Sequence, residues 1–108
     1  MSTFHIKQND TVPSLRAALE NGSGDAVDLT NATCQFHLRK IGSTTVVVDA
    51  SAQIVTEATG IVQYNWIAAD TNTVGSYQAE FEVTYPDNTV ETFPNNGYIR
   101  VEITDDIT

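Results

Sequence analysis

The segment Gly75-Ser76-Tyr77-Gln78-Ala79-Glu80-Phe81-Glu82-Val83-Thr84-Tyr85 decides the fold. Tyr77, Ala79, Phe81, Val83 and Tyr85 fall on one face of an extended chain, and Gln78, Glu80, Glu82 and Thr84 fall on the other. Successive side chains of a strand point to opposite sides, so this alternation describes a strand with one buried and one wet face. A helix would scatter the same apolar residues around its circumference.

Outward from this segment the period of two recurs. Phe4 and Ile6 share a face, as do Leu15, Ala17 and Leu19, then Cys34, Phe36 and Leu38. Val62, Tyr64 and Trp66 alternate with Gln63 and Asn65, and Ile99, Val101 and Ile103 alternate with Arg100 and Glu102. Residues 46–50 and 52–56 read as two shorter strands, with the ladder interrupted near residues 49–51. Leu15-Arg16-Ala17-Ala18-Leu19-Glu20 also has good helix propensity, but Pro13 and Asn21-Gly22 leave it too short for a helix that stands alone, so it is read as strand. Asn21-Gly22-Ser23-Gly24-Asp25, Gly42-Ser43, Ala58-Thr59-Gly60, Pro86-Asp87-Asn88 and Pro94-Asn95-Asn96-Gly97 supply the turns between these runs. Short strands, frequent turns and no long stretch of period 3.6 predict an all-β sandwich or small barrel. No linker, repeat or low-complexity stretch divides the chain, and a single domain is expected over residues 1–108.

A chain of 108 residues buries enough surface to fold without a metal or a disulfide. Cys34 is its single cysteine, which excludes an internal disulfide and suits synthesis in a reducing cytoplasm. His5, Lys7, Asp10, Pro13 and Arg16 interrupt any apolar signal segment near the start. The longest purely aliphatic run, Val46-Val47-Val48, falls far short of the ~20 residues of a membrane-spanning helix, so no membrane insertion is expected. Five basic residues against fourteen acidic ones give a net charge of -9. That field repels phosphate backbones and argues against nucleic acid as a partner.

Residues that might carry chemistry have simpler structural readings. His5 and His37, the two histidines, alternate out of phase with their apolar neighbours, and neither stands beside a nucleophile in a recognisable motif. Cys34 is in phase with Phe36 and Leu38, as an inert buried packing residue would be. Asp25, Asp28, Glu80, Glu82 and Glu91 have no calcium-loop spacing, and solvated acidic faces account for them. No catalytic residue, metal ligand or cofactor is therefore assigned, and the chain is not read as an enzyme. Phe36, Trp66, Tyr77, Phe81 and Val101 are expected in one core. For Trp66 the sharper alternative is a sugar-stacking platform on an exposed face. Phe93, Pro94, Asn95 and Asn96 form the segment expected to make protein contacts, since a loop on a rigid sandwich is where contacts concentrate.

Several ordered segments together resemble a known family. Phe4-His5-Ile6-Lys7-Gln8-Asn9-Asp10-Thr11 is followed by Pro13-Ser14-Leu15 and by Val27-Asp28-Leu29-Thr30-Asn31-Ala32. Then come Gly60-Ile61-Val62-Gln63-Tyr64-Asn65-Trp66, Ala69-Asp70-Thr71, the deciding segment itself, and Thr92-Phe93-Pro94-Asn95-Asn96-Gly97-Tyr98. In this order they resemble the N-terminal immunoglobulin-like domain of tailed-phage baseplate upper proteins. The resemblance implies an antiparallel immunoglobulin-like β-sandwich that is a structural component of a virion. Its implied partners are other phage virion proteins and copies of itself in a symmetric assembly. Baseplate members carry further segments that hold receptor-binding proteins. A chain ending at Thr108 leaves a small tail, neck or capsid-surface protein open beside a baseplate, with a carbohydrate-binding adhesion module as the alternative. Within the resemblance, Asp70, Gly75, Tyr77 and Ala79 resemble a tyrosine corner, in which a tyrosine near the start of a strand bonds back across the preceding loop.

Overall fold

The computed structural model describes residues 3–107; Met1, Ser2 and Thr108 of the expected domain lie outside the described residues. The alternating segments form β1 (Thr3–Lys7), β2 (Leu15–Ala18), β3 (Thr33–Lys40), β4 (Val46–Ser51), β5 (Gln53–Thr56), β6 (Ile61–Tyr64), β7 (Gly75–Thr84), β8 (Val90–Phe93) and β9 (Ile99–Thr104). One short 3₁₀ turn, Ala68–Thr71, follows β6.

Two sheets face each other. The larger runs in the order β1-β9-β7-β3-β4, with β8 also paired to β7, and the smaller in the order β2-β6-β5. This is the immunoglobulin-like sandwich, in which β2, β6 and β5 take the places of strands B, E and D and β3, β7 and β9 those of C, F and G. The sandwich is antiparallel, as expected, save for one strand pair. β1 runs parallel to β9, with Phe4 opposite Val101 and Ile6 opposite Ile103. The first and last strands of the domain thus close the same sheet edge, and the whole fold lies between them as the long connection a parallel pair requires.

Three local details depart from the sequence pattern, each for a physical reason, while the strand at residues 15–18 follows it. The β4–β5 interruption falls at Ala52, whose N–H donates to the Cys34 carbonyl at 2.9 Å before Gln53 pairs with Gln63 in the other sheet. The break is a change of sheet. β6 ends at Tyr64, two residues before Trp66, because the chain turns there into the 3₁₀ segment; the Trp66 ring nonetheless stays inside. Residues 15–18 are strand, paired from Leu15↔Tyr64 to Ala18↔Ile61. β8 was not expected. It forms because Asp87 Oδ1 accepts from Thr89 N–H at 3.0 Å and Thr89 Oγ1 at 2.6 Å, while Asn88 takes a left-handed φ of 70°. That tight turn returns the chain along β7 from Thr84↔Val90 to Phe81↔Phe93.

The core lies between the sheets. Phe36, Phe81 and Val101 are fully buried, and Tyr77 and Trp66 keep only 2% and 4% of their surface. The Phe36 ring stacks on Tyr64 at a centroid distance of 4.3 Å, meets Phe81 at 5.2 Å and receives the edge of Trp66 at 5.6 Å. Offset and edge-on arrangements of this kind suit the ring quadrupoles. Tyr77 is both a core aromatic and a tyrosine corner, since its hydroxyl donates to the Thr73 carbonyl at 2.7 Å. Ala79, two residues on, is 1% exposed where antibody domains place a disulfide cysteine.

Candidate protein interface

The segment singled out for contacts divides in two. Phe93 ends β8 with 2% of its surface exposed and joins the core, so its ring is not offered to a partner. The chain then passes through a cis Phe93–Pro94 bond to a half-buried Pro94 and the exposed Asn95, Asn96 and Gly97. Gly97 has φ 79°, a conformation that costs glycine little. The loop is anchored: Asn95 Nδ2 donates to Glu91 Oε2 and to the Thr92 carbonyl, both at 3.1 Å. Glu91 Oε1 in turn accepts from the Tyr85 hydroxyl at 2.7 Å. Burial, followed by this bond and the carboxylate's charge, pushes the Tyr85 phenol up to about 12.

Pro94 and Asn95 form one side of an open cleft of about 690 Å³. Its other walls are the edge of β2, Phe4 of β1 and Ile99 of β9. Phe4 and Ile99 are partly buried and pack against the core. The cleft exists because the larger sheet extends beyond β2, which among the described residues has a partner strand on one side only. Sequence reasoning named the loop but missed the cleft. Alternation shows which way a side chain points, and strand order, which leaves β2 at an edge, has no local signal.

Elsewhere the polar groups support the fold. Imidazole nitrogens of His37 lie 3.3 Å from Asp49 and 3.3 Å from Glu80 on the outer face of the larger sheet. Neighbouring rungs pair Gln35 with Asp49 and Arg39 with Gln78. Among the described residues the recorded partners of His37 are these two carboxylates. Burial pushes the Cys34 thiol up to about 11, which keeps it protonated and unreactive at neutral pH. Asp28 accepts from Thr30 N–H at 3.0 Å and Thr30 Oγ1 at 2.6 Å, and these bonds hold its carboxyl below the usual range. Among the described residues no three His, Cys, Asp or Glu side chains gather as a cation-binding group. No described helix is long and apolar enough to cross a membrane.

The two facing sheets and the free β2 edge define an immunoglobulin-like β-sandwich domain. The family model described as the BppU N-terminal domain matches residues 4–106, and the chain belongs to that family, the N-terminal domains of phage baseplate upper proteins. The family is one of phage baseplate structural domains. No curated protein matches the chain. Among solved structures, the crystal structure of CopC from Methylosinus trichosporium OB3b superposes with a TM-score of 0.56 at 13% identity, over 100% of this chain and 89% of that one. At that identity the likeness concerns the β fold alone.

Proposed function

We propose that this chain is one immunoglobulin-like domain built into a tailed-phage virion, at the tail or baseplate, the neck or the capsid surface. It acts through contacts with other virion proteins and with copies of itself in a symmetric assembly, without catalysis. The observation that carries this reading is membership, over residues 4–106, of a family of baseplate structural domains. The anchored loop and the free β2 edge support it, because they offer rigid backbone and side-chain groups to neighbours. Single contacts of this kind are weak, and repetition around a ring or shell strengthens them through high effective concentration. Synthesis in the host bacterial cytoplasm, where Cys34 stays reduced, precedes assembly.

Carbohydrate adhesion would call for aromatic rings on an exposed face. Trp66, the strongest candidate for such a platform, is 4% exposed and stacks internally on Phe4 at 5.9 Å, so no observation favours that reading. Mass spectrometry of purified particles tests the structural role. The chain is expected there in a fixed ratio to the other virion proteins; finding it only free in the infected cell overturns the proposal.

A further inference from the structure

We propose that the free edge of β2 receives one extended segment of a different virion protein, which pairs with β2 as a fourth strand of the smaller sheet and fills the cleft beside it. This rests on the structural reading above and names where a neighbour engages. The backbone is set for it. Leu19 N–H continues the β2–β6 ladder by donating to the Gly60 carbonyl at 2.8 Å, in phase with Ala17↔Val62 and Leu15↔Tyr64. In an antiparallel pair, alternate residues exchange hydrogen bonds with the partner strand. The N–H and C=O groups of Leu15 and Ala17 therefore point to β6, and those of Arg16 and Ala18 point outward along the cleft. An unpaired edge of this kind is a template for an added strand.

The cleft also states what the added strand must be. Immunoglobulin-like sandwiches of the constant type carry a strand A beside strand B, and here that place is open because β1 pairs with β9 instead. A strand laid there would set every second side chain over Phe4 and Ile99, whose partly buried surfaces favour aliphatic residues. At the far end stands Glu20, exposed and without an ion-pair partner among the described residues. Arg16, the cleft's cation, is already held by Gln63 Oε1 at 3.0 and 2.7 Å. With a net charge of -9 on the whole chain, the complementary segment carries Lys or Arg at the Glu20 end.

A second copy fits poorly. Two-fold pairing of β2 with its own copy would put both overhanging β1 ledges on the same side of the joined sheet and drive one against the other. The exposed end of a copy, Asp105-Asp106-Ile107, would bring carboxylates toward Glu20.

Complementation of a phage lacking this gene, followed by particle purification, tests the assignment. A photo-crosslinking residue placed at Ala18 is expected to join the chain to a different virion protein. Ala18→Pro removes an outward N–H from an edge strand, a substitution such strands tolerate, and is expected to lower incorporation at least about tenfold with the melting temperature near the parent's. Glu20→Lys, at an exposed carboxylate, is expected to lower incorporation about threefold, in line with one lost cross-interface attraction, and it decides the matter should the proline variant fail to fold. Crosslinking to a second copy, no crosslinking, or parent-level incorporation of the folded variants overturns the cleft proposal and leaves the structural role standing. Absence of the parent chain itself from particles overturns both.

Discussion

The centre of the sandwich and its β2 flank are made of the same kind of strand, yet they do different work. At the centre each apolar face meets another: Phe36 lies under Tyr64, Trp66 and Phe81, and every ring there is within 5% of full burial. At the flank Phe4, Ala17 and Ile99 are only partly covered, and the outward backbone groups of Arg16 and Ala18 face open space. The difference follows from sheet width. Five successive strands in one layer oppose three in the other, so one margin of the larger sheet has nothing above it. Stability is therefore concentrated where the layers overlap, and the proposed partner strand would dock where they do not.

The comparison breaks first at Trp66. Trp66→Ala removes a ring that touches Phe4, Phe36 and Tyr64, and should cost roughly 3–5 kcal/mol, most of the margin of a domain this size. Chemical denaturation measures it; a midpoint near the parent's would put the ring outside the core. Trp66→Phe should be milder. The Trp66 Nε1–H is buried with no hydrogen-bond partner among the described residues, so its removal relieves a desolvated donor while most of the packing survives.

The second effect is a change of slope with pH. Burial raises the Cys34 thiol from 9.0 to about 11, so between these values the unfolded chain has released a proton that the folded chain retains. Stability from this group is whole below the unfolded value and is lost as the pH rises toward the folded one. Cys34→Val should flatten that part of the stability profile. From pH 10.0 upward a further decline is superposed in both proteins, because burial raises the Tyr85 phenol from 10.0 to about 12 and raises Tyr64 and Tyr77 as well. Identical slopes for parent and variant between the two thiol values would mean that Cys34 is solvated.

Much of the centre was legible because burial and alternation are local facts. Tyr77, Ala79, Phe81 and Val83 point inward by register alone, and β7 is long enough for the pattern to be unmistakable. β8 was not legible: Val90-Glu91-Thr92-Phe93 is short, lies between two turn signals and becomes a strand only by pairing with β7. The same limit applies to the interface. Pro94, Asn95 and Asn96 announce a loop, but nothing local says that Phe93 turns inward or that the loop borders β2. The tyrosine corner lies between these cases, for its residues are visible in sequence and its bond to Thr73 needs the chain to bend.

That bond supplies the third test. Tyr77→Phe keeps the ring in the core and deletes the hydroxyl that donates to the Thr73 carbonyl at 2.7 Å. The expected loss is about 1 kcal/mol, the usual net worth of one hydrogen bond, read as a lower midpoint with an unchanged denaturant slope. No change would show that the corner is held by packing alone.

The smallest effect belongs to the flank. Arg16 is exposed, and among the described residues its guanidinium bonds only Gln63 Oε1, across the β2–β6 pair at the surface. Water replaces such a bond at little cost, so Arg16→Ala should change stability by no more than about 0.5 kcal/mol, as surface substitutions do. Denaturation of Arg16→Ala beside Tyr77→Phe, in one buffer, measures the contrast between flank and centre. A loss at Arg16 equal to that at Tyr77 would mean that the β2 edge is braced as firmly as the core and that its groups are committed to the fold. A loss near zero leaves the edge energetically idle in the free chain, so that ordering a partner strand against it has no native contact to break.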